Sequence, residues 1–287
     1  YFKTNSQSWL EQAWKSSYTT RHALNVSGGT EKATYFASVA YNQQNGNFDK
    51  INFDRWSFRA SADVKVSKNV KASLGLSGDV STKDRYLLKQ GGTSNEKDFQ
   101  SLLVAAPFTP AYYNGLPVSL LSSGANTNEN FHFFEAQKSN NYLMSRDNGL
   151  NVNASIEYEA PFLKGLKARV TYNRNMENSF GKEFGTRYKL YTFTMLGANK
   201  HIVGGDVRSI ATVSNSNRIY YAPSYGDSYQ LNGYLTYDKT FGKHSISVLG
   251  LFEQGEAYSD GITSYLDNLV DNALDNAGYA LGGTLGS

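Results

Sequence analysis

The chain has 287 residues, a net charge of +3, 40% hydrophobic residues and a mean hydropathy of -0.50. No run approaches the roughly 18 apolar residues that a membrane helix needs, and the scattered Lys and Arg form no nucleic-acid patch. Cysteine is absent, which removes disulfides and thiolate metal sites, while Tyr and Phe are plentiful and Pro scarce, the bias of a strand-rich chain.

In chain order, Ser8-x-x-Glu11 reads as the cap of a short helix around Ser8 to Trp14. Segments His22 to Gly28 and Tyr35 to Tyr41 alternate apolar and polar residues. Alternation is clearest from Trp56 to Val66, where Trp56, Phe58, Ala60, Ala62, Val64 and Val66 oppose Ser57, Arg59, Ser61, Asp63 and Lys65. It returns in Val70 to Ser77, Leu150 to Glu159, Leu166 to Tyr172 and Gln230 to Asp238. Between these, Thr93-x-x-Glu96 resembles a capping box. It precedes Phe99, Leu102, Leu103 and Ala106 at helical spacing, ahead of Pro107. Near the end, Asp267, Asp271 and Asp275 recur every four residues and predict a helical stripe.

Paired strands must share faces, which fixes register. A turn at Glu31–Lys32 sets Val26 against Ala37 and Leu24 against Val39. One at Ser67–Asn69 sets Val64 against Ala72 and Ala62 against Leu74, with Lys65 awkwardly opposite Lys71. A turn at Leu163–Gly165 pairs Ala160 with Ala168 and Tyr158 with Val170. A Gly242–Lys243 turn of the II′ kind pairs Tyr237 with Val248 and Leu235 with Gly250. The other connections are longer: 42–52, then 82–147 and 175–227, both expected to be long loops. Tight turns at one end and long loops at the other suit an outer-membrane barrel, with short periplasmic turns and long extracellular loops.

The runs Asn25-Val26-Ser27-Gly28-Gly29, Thr34-Tyr35-Phe36-Ala37-Ser38-Val39-Ala40-Tyr41 and Asp54-Arg55-Trp56-Ser57-Phe58-Arg59-Ala60-Ser61-Ala62-Asp63 resemble the early barrel of SusC/RagA-like TonB-dependent transporters. Ser8-Trp9-Leu10-Glu11 resembles the short helix before it, and Tyr237 to Ser247 a later hairpin. The resemblance implies an outer-membrane protein: a plugged barrel of about 22 strands importing oligosaccharides or peptides. It implies a SusD-like surface lipoprotein partner and coupling to the TonB complex. No plug or TonB box is recognisable, so the chain is expected to be an internal barrel fragment whose N-terminal coupling region is missing. The expected fold class is all-β, an antiparallel transmembrane β-barrel segment of some eight to ten strands. Residues 1–20 should form a lead-in helix and linker, 21–261 the strands and extracellular loops, and 262–287 a partly helical loop.

No catalytic, metal or cofactor site is expected. His22, His132, His201 and His244 are dispersed, and no nucleophile elbow, Walker loop or dinucleotide fingerprint occurs. Glu157 and Glu159 could be read as a glycosidase pair, but they continue the polar stripe of Asn151, Asn153 and Ser155. Candidate lumen-facing residues are Arg59, Asp63, Asn151, Asn153, Glu157, Glu159, Arg169 and Asn232. Candidate cargo or lid contacts, with the aromatic and amide chemistry of sugar sites, are Tyr112, Tyr113, Asn114, Arg187, Tyr188 and Tyr191. The rival readings are a soluble β-rich glycan-binding or adhesin module and a glycan-active enzyme. The apolar face discriminates: a barrel exposes it to lipid, and a sandwich buries it.

Overall fold

The computed structural model describes residues 6–87, 95–119, 132–271 and 275–280. Eight long strands form one antiparallel sheet: β1 (Thr19–Gly29), β2 (Ala33–Asn45), β3 (Asn52–Lys65), β4 (Val70–Arg85), β7 (Tyr142–Glu159), β8 (Leu166–Leu196), β9 (Ile202–Phe241) and β10 (His244–Gly261). They pair in that order, so β1 and β10 are the outermost strands and the sheet is open. A ninth strand, β11 (Ser264–Asp267), pairs with the upper part of β9 beyond the end of β10. A separate hairpin joins β5 (Tyr112–Tyr113) to β6 (Leu116–Pro117).

Three of the four expected registers are present: Val26↔Ala37, Leu24↔Val39, Val64↔Ala72, Ala62↔Leu74, Tyr237↔Val248 and Leu235↔Gly250 are partners. Lys65 does face Lys71, and the Lys71 ammonium turns to Glu157 on the next strand, 3.5 Å away. At Gly242, φ is +58° and Lys243 keeps a negative φ, which agrees with the Gly-X turn. The fourth register is corrected. Tyr158 faces Ala168 and Ile156 faces Val170, two residues from expectation. The turn is wider than Leu163–Gly165, because the Ala160 N–H already donates to the Leu166 carbonyl. Gly165 (φ +100°) lies so close to the Asp238 carbonyl of β9 that a Cβ would collide with it. A shift of two leaves every side chain on its own face.

The apolar face stays bare. Leu24, Val26, Val39, Trp56, Phe58, Leu74, Ile156, Val170, Leu235 and Val248 are all exposed, and among the described residues no second layer packs over them. Soluble monomers rarely leave so large an apolar face uncovered. From Trp56 to Val64 the face spans about eight residue steps, roughly 26 Å of strand. Tyrosines mark its ends: Tyr35, Tyr158 and Tyr237 near the tight turns, Tyr41 against Trp56 (centroids 4.7 Å apart), and Tyr172 stacked on Tyr229 towards the long connections.

The reading of 175–227 as a loop is overturned. It is mostly strand: β8 and β9 run 31 and 40 residues and pair beyond the sheet as a two-stranded ribbon, turning at 197–201. The ribbon carries register shifts between Gly185 and Arg187 and around Phe193, which add twist once β7 has ended. The segment 82–147 is also shorter as a connection, since β4 reaches Arg85 and β7 starts at Tyr142.

What remains of that connection builds a cap on the long-loop side. The helix α1 (Trp9–Ala13) follows Ser8, whose Oγ accepts the Glu11 N–H at 3.1 Å. It sits on this side because β1 begins there and descends to the Glu31 turn. It meets α2 (Asn95–Val104) and α3 (Phe133–Lys138) in a core of Trp9, Ala13, Phe48, Tyr86, Leu102, Ala111, Phe133 and Ala136. Thr93 lies outside the described residues. The inner face of α2 is Asp98 and Leu102, whereas Phe99 and Leu103 face outwards. Buried Asp98 is matched by Arg85 at 3.0 Å and the Tyr86 hydroxyl at 2.6 Å. The expected Asp stripe is not one helix face: Asp267 is in strand β11, and 272–274 lie outside the described residues.

Candidate functional site

Opposite the bare apolar face, the central strands present a polar face, laid out in rows by the register, with Phe36 of β2 and Leu249 and Leu251 of β10 as apolar exceptions towards its flanks. Lys71, Glu157 and Arg169 line up across β4, β7 and β8, with Glu159 opposite Lys167 in the next row down. Above them Asp63, Ser73, Ser155, Thr171 and Asn232 form one row, and Gly75, Asn153 and Asn173 the next. Arg59, Ser77, Asn151 and Asn175 form a third. All eight candidate lumen-facing residues therefore share this one face. The side chains bond to each other along and across strands: Asn153 to Asn151, and Gln230 to both Asn232 (3.3 Å) and Glu253 (3.0 Å).

The face changes character along the strands. Near the tight turns it carries interleaved charges. The middle is hydroxyl and amide, and a concavity of about 490 Å³ opens there between Ser61, Asp63, Asn153, Arg169, Thr171 and Asn232. Towards the long connections it is acidic. Asp79 and Glu177 flank Gly149, Asp147 stands one step further on, and a second concavity of about 710 Å³ opens over them. Asp79 is tied to Arg55 at 3.3 Å. Among the described residues no group of three or more His, Asp or Glu is placed to hold a metal ion. The charged, hydroxyl and amide side chains offer hydrogen-bond donors and acceptors along the whole face. Glu157 and Glu159 lie in successive rows, facing Lys71 and Arg169 in one and Lys167 in the other, as members of a charge ladder.

The loop candidates sit elsewhere and are mostly engaged in packing. Asn114 (φ +50°) and Gly115 (φ +77°) turn the β5–β6 hairpin in the I′ manner. Tyr112 is half-buried. Its hydroxyl donates to Glu135 Oε1 at 2.7 Å, Lys138 Nζ lies 3.8 Å from its ring centroid, and burial first, then the Glu135 bond, pushes its pKa up. Tyr113 packs edge-on against Phe193 at 5.0 Å, in a cluster with Val118, Val203 and Tyr191 that fastens the hairpin to the ribbon. Arg187 donates to the Leu269 carbonyl at 3.2 Å. Tyr188 is buried, which pushes its pKa up to about 12, and its hydroxyl accepts the His132 N–H at 3.0 Å.

Two ion pairs that the sequence reading missed hold β11 and the segment after it against β9 and β8. Arg218 meets Asp267 through both oxygens (2.6 and 3.1 Å) beneath the Tyr265 ring. Lys182 meets Asp275 at 2.7 Å, with the Tyr142 hydroxyl on the other oxygen. Burial, then that bond, raises the Tyr142 pKa to about 12. Charge partners 49 and 93 residues apart leave no local sequence signal.

No family model matches the chain. It is 24% identical over 272 residues to "TonB-dependent receptor P3" of Formosa agariphila, covering 93% of this chain and 24% of that protein. It therefore spans about a quarter of the length of the curated relative it matches. Among solved structures it superposes on the RagAB peptide transporter with a TM-score of 0.68 at 18% identity, over 99% of this chain and 29% of that one. It matches the RagAB peptide importer in the "open-open" state equally, with a TM-score of 0.68 over 98% of this chain and 29% of that one. The chain thus has the antiparallel barrel-wall fold of those structures, and it resembles SusC/RagA-like TonB-dependent transporters in sequence motifs and in fold.

Proposed function

We propose that this chain forms part of the wall and extracellular face of a TonB-dependent transporter in a bacterial outer membrane, and that it performs no catalysis. The observation that carries this reading is the two-faced sheet. One face is apolar, uncovered and bounded by tyrosines. The other is mainly polar, with Phe36, Leu249 and Leu251 as apolar exceptions, and the tight turns joining β1 to β2, β3 to β4, β7 to β8 and β9 to β10 all lie at one end. Only a closed barrel lets such a sheet satisfy its backbone in lipid while its inner face stays wet. The edges of β1 and β10 then pair with further strands of the whole protein.

The eight residues Arg59, Asp63, Asn151, Asn153, Glu157, Glu159, Arg169 and Asn232 are proposed to line the lumen. Cargo is proposed to be oligosaccharide or peptide, received with a SusD-like lipoprotein and driven through the TonB complex. The family resemblance supports those partners, and the named RagAB structures support the peptide alternative. Tyr112, Tyr113, Asn114, Arg187, Tyr188 and Tyr191 are proposed to support the cargo and lid side by shaping the extracellular cap.

Spin labels at cysteines introduced into the whole transporter test this, since the chain contributes no native cysteine. Labels at Leu74→Cys and Ile156→Cys should be relaxed by oxygen, which concentrates in lipid. Labels one residue away, at Ser73→Cys and Ser155→Cys, should be relaxed by a water-soluble nickel chelate. Equal chelate access at all four positions would overturn the barrel reading.

A further inference from the structure

His132 is the last residue before α3 and the hub of the extracellular cap. Its Nδ1 accepts the Glu135 N–H at 3.2 Å, which makes the side chain the N-cap of α3. Its Nε2 lies 2.8 Å from the Ala111 carbonyl. A carbonyl only accepts, so Nε2 carries the hydrogen, and Nδ1, facing a donor, must be bare. The ring is fully enclosed, with Trp9 of α1 at 5.0 Å, Tyr112 of β5 at 5.2 Å and Phe134 at 6.1 Å. Its backbone N–H donates to the Tyr188 hydroxyl of β8. One residue thus joins α1, β5, α3 and the ribbon, the last through its backbone, and only the neutral form of its imidazole fits.

We propose that His132 is a proton-operated latch on the extracellular cap: a proton taken up at Nδ1 breaks the α3 cap and frees that helix from α1 and the β5–β6 hairpin. The new N–H would point at the Glu135 N–H, donor against donor, and leave a charge buried away from water. Among the described residues, the anion that acts on it, Glu135, is already engaged. On α3, Glu135 spends Oε1 on the Tyr112 hydroxyl and also meets Lys138 at 3.6 Å. From β5 and β8 come only the hydroxyls of Tyr112 and Tyr188, and α1 contributes Trp9, which does not titrate. Burial accordingly holds the His132 pKa below its ordinary value, with Glu135 opposing and Lys138 assisting.

The sign follows. The folded cap binds fewer protons at this site than the opened one, so cap stability is full above about pH 6.5, the ordinary histidine value, and falls as pH drops below it. Between pH 7.5 and 5.0 the opening equilibrium should rise by up to about 30-fold, the most that 1.5 pH units below that value allow. The test is hydrogen–deuterium exchange on the whole transporter, corrected for intrinsic chemistry, following the amides of residues 133–138. In the wild type their protection should drop towards that limit on acidification. In His132→Asn, whose amide oxygen keeps a cap but does not titrate, protection should be independent of pH over this range. No drop in the wild type, or an equal drop in His132→Asn, overturns the latch. The readout does not involve transport, so its failure leaves the transporter reading untouched.

Discussion

The two ends of the same strands are stabilised in opposite ways. Below, between the tight turns and Trp56, the sheet is one layer thick with no core: its large side chains point outwards and stay exposed. Above, the continuation of β4, β7, β8 and β9 is wrapped by helices, a hairpin and a returning segment that bury three separate apolar clusters. Several polar groups there are enclosed and matched, among them Asp98, His132 and Asn141. On the barrel reading proposed above, the difference reflects the solvent. Water forces the upper part to make its own interior, whereas the lower part would have lipid as its apolar partner and need none.

The largest effect should come from emptying the upper core. Trp9 is 2% exposed, donates its indole N–H to the Thr109 carbonyl at 2.8 Å, and packs on His132 and Phe134. Trp9→Ala should cost about 3–5 kcal/mol of cap stability. Exchange protection should collapse in α1 and α3 while the heat resistance of the barrel in detergent stays at the wild-type value. If the barrel melts with the cap, the two regions are one cooperative unit and the contrast drawn above is wrong.

Next in size is a charge on the lower face. Leu74 is 52% exposed in the sheet and paired with Ala62 and Ala154, in the middle of the apolar band. Leu74→Arg should cost about 2–4 kcal/mol of assembly free energy if that face meets lipid. Its neighbour Ser73 points the other way, so Ser73→Arg should assemble normally. The measurement is the fraction of each variant folded in bilayers against urea. Equal behaviour of the pair would mean that the two faces see the same solvent.

The same contrast explains what could be read in advance. Where one face meets lipid, alternation is strict and register follows from it, so Leu24↔Val39, Ala62↔Leu74 and Leu235↔Gly250 were all legible. The two-residue error at Ala160 arose because the tripeptide Leu163–Gly165 looks like a complete turn, while the Gly165–Asp238 contact that widens it comes from β9. Above the bare apolar band both faces of a strand meet mixed surroundings. Tyr188 and Leu190 pack inwards while Arg187 and Lys189 do not, yet Phe193 breaks the period at a bulge, so the sequence of the ribbon resembles a loop. In α2 the buried position next to Leu102 is an aspartate, which periodicity assigns to the surface. Its partner Arg85 comes from a strand end. The polar wall was legible as a face, but the roles of Tyr112, Arg187 and Tyr188 depended on Glu135, Leu269 and His132, none of them nearby in sequence.

The smallest expected effect concerns the polar wall itself. Glu157 lies 3.5 Å from Lys71, whose side chain is 61% exposed, and it also faces Arg169 across the β7–β8 ladder. Exposed pairs of this kind contribute only about 0–1 kcal/mol, so Glu157→Gln should leave assembly and urea resistance within that margin. Glu157 is also the residue that a glycan-active enzyme would need. A lumen-wall role predicts that the substitution changes uptake modestly, through the charge balance of one row, and changes no hydrolysis. Loss of stability as large as that of Leu74→Arg would mean that this face is as dry as the other one, because only a desolvated pair leaves so costly an orphan charge. Both results together, small on Glu157 and large on Leu74, assign water to one side of a single-layer wall and lipid to the other.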